Sequence, residues 1–340
     1  MQLPFVLSSL LLLTSIQAVD ASPTAKSTDK FQWSSKKGLI AFGDSYTYVQ
    51  GTHGHQNYSF IGDAFDFAFD EQTLLSNKIV QNQTATAEGG PNWVEYLTDC
   101  GVKPGLTSPR TCKKQLWDFA FAGSDISTQY TPLHHNFTVS LINQTHQFKQ
   151  YAHTPLTKFL QPKNSLIAIW IGINDINDSS KYTVDFPTFY KSLTTTLFTS
   201  VTDLYNLGYR SFLFMNLPPL DRTPGNQVSS SPHPNATQVE WYNAALSEQA
   251  RQFARENSGA EVRVFDAHAH LSGILDHPAR YGIVNTTSFC AGYDQPDIGE
   301  NYLSYGCPTS LDTYFWFNSG HMTSHVHRIL AEQLQEWLRG

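Results

Sequence analysis

Short unbroken apolar runs alternate along the chain with longer stretches in which apolar residues recur every three or four positions. The runs are GLIAF (38–42), LWDFAFAG (116–123), SLIAIWIG (165–172), RSFLFMNL (210–217) and EVRVFD (261–266). Strands that are apolar throughout are buried on both faces, as in a parallel sheet covered by helices. The clearest helical pattern spans 185–208, where Phe189, Leu193, Leu197, Val201, Leu204 and Tyr205 share one stripe between a capping Asp185 and a terminating Gly208. Similar patterns cover 237–256 and 324–338, the last burying Val326, Ile329, Leu330, Leu334 and Leu338. The alternation predicts a three-layer α/β/α domain with right-handed crossovers. Segments 46–115, 221–236 and 267–320 are long. Ligands of an open parallel sheet bind beyond the carboxyl ends of its strands, so these segments are expected to wall a pocket there. Residues 22–34 read as a loose polar arm.

The N-terminus breaks the pattern. Its apolar stretch of about a dozen residues is shorter than the roughly 20 needed to cross a bilayer. Small residues follow, with Ala18 and Ala21 as candidate cleavage points. We read residues 1–21 as a secretory signal peptide and 22–340 as a single domain, although no Lys or Arg precedes the apolar stretch. The alternative is a buried core segment. Asn57, Asn82, Asn136, Asn143, Asn177, Asn235 and Asn285 each begin an N-x-S/T sequon, which suits a glycosylated extracellular surface. The four cysteines allow three pairings, and Cys100 with Cys112 and Cys290 with Cys307 are favoured because each closes a short loop. A metal site is the rival reading of these cysteines, but no C-x-x-C pair is present.

Composition narrows the function. In 340 residues, 40% hydrophobic and 15% charged, there is enough apolar material for a large core. With 22 Lys+Arg against 29 Asp+Glu, a net charge of -7 and no basic run, a nucleic-acid partner is excluded and a neutral substrate expected. No later segment is long and apolar enough for a membrane anchor, so a secreted, extracellular monomer is the default.

Candidate chemistry gathers where the apolar runs end. The first ends in Gly43-Asp44-Ser45, the second in Gly123-Ser124-Asp125, the third in Gly172-Ile173-Asn174-Asp175, and FWFNSGHMT near the C-terminus contains His321. A serine opening a helix after the first strand would have orphan N–H groups beside it to hold an oxyanion. Gly123 would let its N–H approach the same oxygen unobstructed, and the Asn174 amide would add a third donor. His321 would take the serine proton and return it to the leaving alcohol.

These residues, in this order, resemble the GDSL or SGNH hydrolase superfamily, whose four namesake residues correspond here to Ser45, Gly123, Asn174 and His321. Within it, GDSYTYVQG, WIGIND, NLPPLDRTP and YFWFNSGHMT look like the secreted fungal acetylesterases of carbohydrate esterase family sixteen. The resemblance implies a flavodoxin-like, mostly parallel five-stranded sheet and a serine esterase without cofactor or metal. Its substrate would be a small acylated carbohydrate, deacetylated from hemicellulose-derived oligosaccharides. One departure stands out. The superfamily places Asp three residues before the histidine, whereas this chain has Asn318 there. An acid-to-amide change in serine proteases costs about 10⁴ in rate, largely through the wrong tautomer. Asn318 or a backbone carbonyl would orient the ring, or else Asp312 or Asp175 would serve as the acid.

Two rival functions share the fold: a lipase or phospholipase acting on longer acyl chains, and a catalytically weak carbohydrate-binding protein on an esterase scaffold. VFDAHAHL, with Asp266, His268 and His270, resembles the strand-borne H-x-H of metal-dependent amidohydrolases, but only 70 residues follow it, too few for the rest of such a barrel. His53/His55, His134/His135 and His325/His327 read as loop or helix-surface residues. Trp93, Trp117 and Trp316 are candidates for stacking on sugar rings, against the commoner use of tryptophan in cores.

Overall fold

Each apolar run contains a strand: β1 (Gly38–Gly43), β2 (Gln115–Asp118), β3 (Ser165–Trp170), β4 (Ser211–Met215) and β5 (Glu261–Phe265). They make one sheet in the order β2-β1-β3-β4-β5, and every neighbouring pair is parallel. All residues of β1, β3 and β4 are buried, whereas the edge strands β2 and β5 carry partly exposed positions. This is the flavodoxin-like order. The chain leaves β1 for one side and later returns on the other, opening a crevice at the carboxyl ends of β1 and β3. Gly43 pairs with Trp170, so those two strands end level.

The computed structural model describes residues 31–66 and 68–340. The signal-peptide reading of 1–21 and most of the polar arm lie outside them. The described end of the arm is no loose tail. Trp33 is 3% exposed, and Lys114 Nζ donates to the carbonyls of Trp33 and Lys36 at 2.7 and 2.6 Å.

The helices used below are α1 (Trp93–Thr98), α2 (Leu141–Gln147), α3 (Ile173–Ser179), α4 (Phe186–Asn206), α5 (Ala236–Glu256), α6 (Ala267–Asp276) and α7 (Ser324–Arg339). α2, α4 and α5 pack as one group and α1, α6 and α7 as another, flanking the sheet. Local chemistry sets their ends. Asp185 accepts from the Thr188 N–H to start α4. At its other end, Gly208 N–H bonds Tyr205 O and Tyr209 N–H bonds Leu204 O, the paired bonds of a Schellman motif. α5 opens on a reciprocal capping box between Asn235 and Gln238. In α7 the five apolar residues of the stripe are all buried, each large one contributing about 1.5–3 kcal/mol relative to exposure.

Two expectations need correction, on the second run and on His327, and two rival readings fall away. The second run pairs as a strand only over Gln115–Asp118, because the Asp118 carboxylate turns the chain by accepting from Ala120 N–H at 2.7 Å. His327 is fully buried, since it falls three residues before Leu330 on the apolar stripe of α7. Trp93, Trp117 and Trp316 are 0% exposed and offer no face to a sugar. Asp266, His268 and His270 do not lie on a strand: Asp266 caps α6, whose first turns carry both histidines, and His270 Nδ1 faces Gln333 Oε1 at 2.9 Å. Residues two apart on a helix point apart, which dissolves the H-x-H reading.

The disulfides pair Cys100 with Cys112 and Cys290 with Cys307. The second closes a loop within 267–320 that has its own small core of Ile298 and Tyr314. Six of the seven sequon asparagines are exposed, and Asn285 is half-buried. Among the described residues no helix is long and apolar enough to cross a membrane.

Candidate active site

β1 delivers Ser45 to the crevice through a tight turn. Gly43 is required at the strand end because a Cβ there would collide with the Trp170 carbonyl oxygen of β3. Contrary to the sequence expectation, no helix follows Ser45. The Thr47 and Tyr48 N–H groups both return to Asp44 O, at 3.1 and 3.0 Å, and the Asp44 side chain takes the Tyr46 N–H at 3.0 Å. Burial pushes the Asp44 carboxyl up to about 7. The turn leaves Ser45 8% exposed at the mouth of the crevice.

The histidine arrives from 276 residues away on a narrow loop between Trp316 and Met322, which pair across its base. His321 Nε2 lies 2.8 Å from Ser45 Oγ, and Nδ1 lies 3.0 Å from Asn318 Oδ1. The orientation of Asn318 follows from its other bonds. Its Oδ1 accepts from the N–H groups of Gly320 and His321, at 3.0 and 2.9 Å, which only an oxygen can do. An oxygen facing Nδ1 requires the proton there, so Nε2 carries the lone pair that faces the serine hydroxyl. The amide thus selects the tautomer that a carboxylate would select, without its charge. Neither Asp175 nor Asp312 fills that place. Asp175 spends both oxygens on the Ile126 N–H, at 3.0 and 3.1 Å, and Asp312 is exposed on a short turn with no bond to the ring.

The segments that follow β2 and β3 supply donors. Gly123 has a φ of 78°, left-handed backbone that favours glycine, and a Cβ there would press on His134 Cβ at 3.2 Å. Among the described residues the N–H groups of Ser45 and Gly123 have no acceptor within the protein. Asn174, on the first turn of α3, gives one amide hydrogen to Ser124 O at 2.9 Å and keeps its second. Each such donor aimed at a developing oxyanion is worth about 2.7–4 kcal/mol.

Several supporting residues carried no sequence signal. Gln144 on α2 is fully buried and ties the end of β1 to the loop after β2: its Oε1 accepts from Gly43 N–H at 3.1 Å, and its Nε2 donates to Gly43 O and Ser124 Oγ at 2.8 and 2.9 Å. Tyr46 donates its hydroxyl to Gly320 O and packs its ring 5.3 Å from that of His321, bracing the histidine loop from below. Only its adjacency to Ser45 could have drawn attention to it.

This set can run acyl transfer: a hydroxyl, a base already in the required tautomer, and unspent donors beside them. The chain matches the model of the GDSL-like lipase/acylhydrolase family over residues 39–334. It belongs to that family. An acetylesterase of Thermothelomyces thermophilus is 26% identical over 313 residues, covering 90% of this chain and 89% of that protein. A second acetylesterase, from Hypocrea jecorina, is 22% identical over 340 aligned positions, covering 89% of each. Among solved structures, a carbohydrate acetylesterase from Sinorhizobium meliloti aligns with 89% of this chain and 100% of its own, at 11% identity and a TM-score of 0.41. The protein is a GDSL-like carboxylic ester hydrolase.

Desolvation lowers His321 to about 4. Only the neutral ring accepts the serine proton, so kcat/KM should be full above this value and fall as pH drops through it. In Asn318→Asp, a carboxylate beside Nδ1 would favour the imidazolium. The expected outcome is an active enzyme whose acidic limb moves to higher pH, read from kcat/KM between pH 3 and 8. An unmoved limb would show that residue 318 does not face the catalytic imidazole.

Proposed function

We propose that this esterase is secreted and acts as a monomer, removing acetyl groups from hemicellulose-derived oligosaccharides through an acetyl-enzyme on Ser45. The observation that carries the reading is the bonded series Asn318–His321–Ser45, with N–H groups of residues 45 and 123 that have no acceptor among the described residues and a second amide hydrogen on Asn174. Ser45 Oγ attacks the acyl carbonyl while its proton passes to His321 Nε2. The Nδ1–H held by Asn318 Oδ1 steadies the imidazolium. The Ser45 and Gly123 N–H groups and the Asn174 amide receive the oxyanion. Collapse of the tetrahedral intermediate breaks the bond to the sugar oxygen, which takes the proton back from Nε2. Water then repeats the sequence to release acetate.

Support for the acetyl group comes from two fungal relatives named acetylesterases, each aligned over most of its length. Support for secretion comes from two disulfides, which persist in oxidising compartments, and from exposed sequon asparagines. The test has two arms. Across p-nitrophenyl acetate, butyrate, octanoate and decanoate, kcat/KM should be highest for acetate, and rates climbing towards decanoate would favour the lipase reading. Acetylated xylo-oligosaccharides followed by NMR should lose acetyl signals at defined ring positions. Hydrolysis of the aryl ester with intact sugar acetates would overturn the carbohydrate substrate.

A further inference from the structure

Beside the Gly123 donor lies a cluster that the hydrolytic scheme does not use. Asp125 follows Gly123 by two residues, Asp178 sits one helical turn beyond Asn174 on α3, and His134 packs over Gly123. One ligand atom from each of these three side chains lies within 4.8 Å of the others. His134 Nε2 and Asp178 Oδ2 are 2.8 Å apart, which accounts for those two as an ion pair at the rim of the crevice.

Asp125 is left over. It is 1% exposed, and neither carboxylate oxygen has a hydrogen-bond partner. Thr131 lies beside it without hydrogen-bond geometry, its own buried hydroxyl equally unpaired. Burying a carboxylate without a partner costs several kcal/mol unless a proton or a cation neutralises it. Burial, with the Asp178 charge adding to it, pushes the Asp125 carboxyl up to about 7. A proton alone would leave it neutral against a neighbouring carboxylate and an imidazole, which together form the ligand set of a metal.

We propose that Asp125, His134 and Asp178 form a divalent-cation site, suited to Zn²⁺ or Mn²⁺, that braces the Gly123 and Asn174 donors. Two carboxylate oxygens and one imidazole nitrogen match the ligand preferences of these ions better than those of Ca²⁺ or Mg²⁺. Four-coordinate binding at about 2.1 Å sets ligands about 3.4 Å apart, so the cluster closes with movements on the order of 1 Å. His134 and Asp178, both partly exposed, are free to make them. The ion would join the loop after β2 to α3 directly behind the oxyanion donors. Asp178 follows His134 by 44 residues, so no spacing motif announced the site. Such an ion departs from the expectation of an enzyme without metal, and it would take no part in the chemical step.

The test uses the tag-free full chain, stripped with a chelator and titrated with ZnCl₂ or MnCl₂ by calorimetry. One ion per chain should bind saturably with at least one of the two salts and raise the thermal midpoint. His134→Gln and Asp178→Asn, both at the surface, should each weaken binding by more than about 100-fold, beyond the 10–100-fold typical of groups that only orient a ligand. The thermal shift should vanish with them. No saturable binding of either ion, or binding that persists in both variants, would overturn the site. The readout is stoichiometry and stability, so failure here is distinguishable from failure of the acetylesterase reading.

Discussion

Ser45→Ala is expected to lower kcat for p-nitrophenyl acetate by about 10⁴- to 10⁶-fold while leaving the thermal unfolding midpoint unchanged. The change removes one oxygen, whose only hydrogen-bond partner among the described residues is His321 Nε2. The turn that presents residue 45 is held by Asp44, through its carbonyl and its carboxylate, and these bonds survive. The donors at 45 and 123 are backbone N–H groups and persist as well. Any residual rate would measure what the oxyanion donors and binding achieve with water as nucleophile. Activity within tenfold of wild type would mean that another residue forms the acyl-enzyme.

His321→Ala should cost a comparable factor. The backbone of residue 321 does structural work, receiving the Phe317 N–H at its carbonyl and giving its own N–H to Asn318, and alanine keeps both bonds. The side chain alone is tested, and the midpoint of unfolding should stay within a few degrees. Loss of the base leaves the serine hydroxyl with a pKa far above working pH, so kcat falls while KM changes little. The acidic limb near pH 4 should disappear with the ring. A variant that keeps the limb would assign it to another group.

The sheet was legible because strands buried on both faces must be almost wholly apolar, and β1, β3 and β4 obey this but for the opening Ser165 and Ser211. Helix ends at Asp185 and Gly208 were equally open to reading, since caps are local chemistry. Ser45, Gly123 and Asn174 could be singled out because topology forces strand ends together. The turn after Ser45 was not, as Asp and Ser open both helices and turns. His327 shows how residue type misleads: its spacing placed it on the buried stripe, while its polarity suggested the surface. Trp93, Trp117 and Trp316 follow the commoner use of tryptophan, their volume filling the core. Gln144 reaches Gly43 across 101 residues of chain, Tyr46 reaches Gly320 across 274 and His134 reaches Asp178 across 44, and nothing local encodes such partners.

Covalent trapping tests the arrangement most directly. Incubation with a p-nitrophenyl alkylphosphonate, followed by peptide mass spectrometry, should find a single stoichiometric adduct on Ser45, with labelling slowed by orders of magnitude in His321→Ala. An adduct on any other residue, or labelling of Ser45 at an equal rate without the imidazole, would contradict a nucleophile at 45 activated from 321.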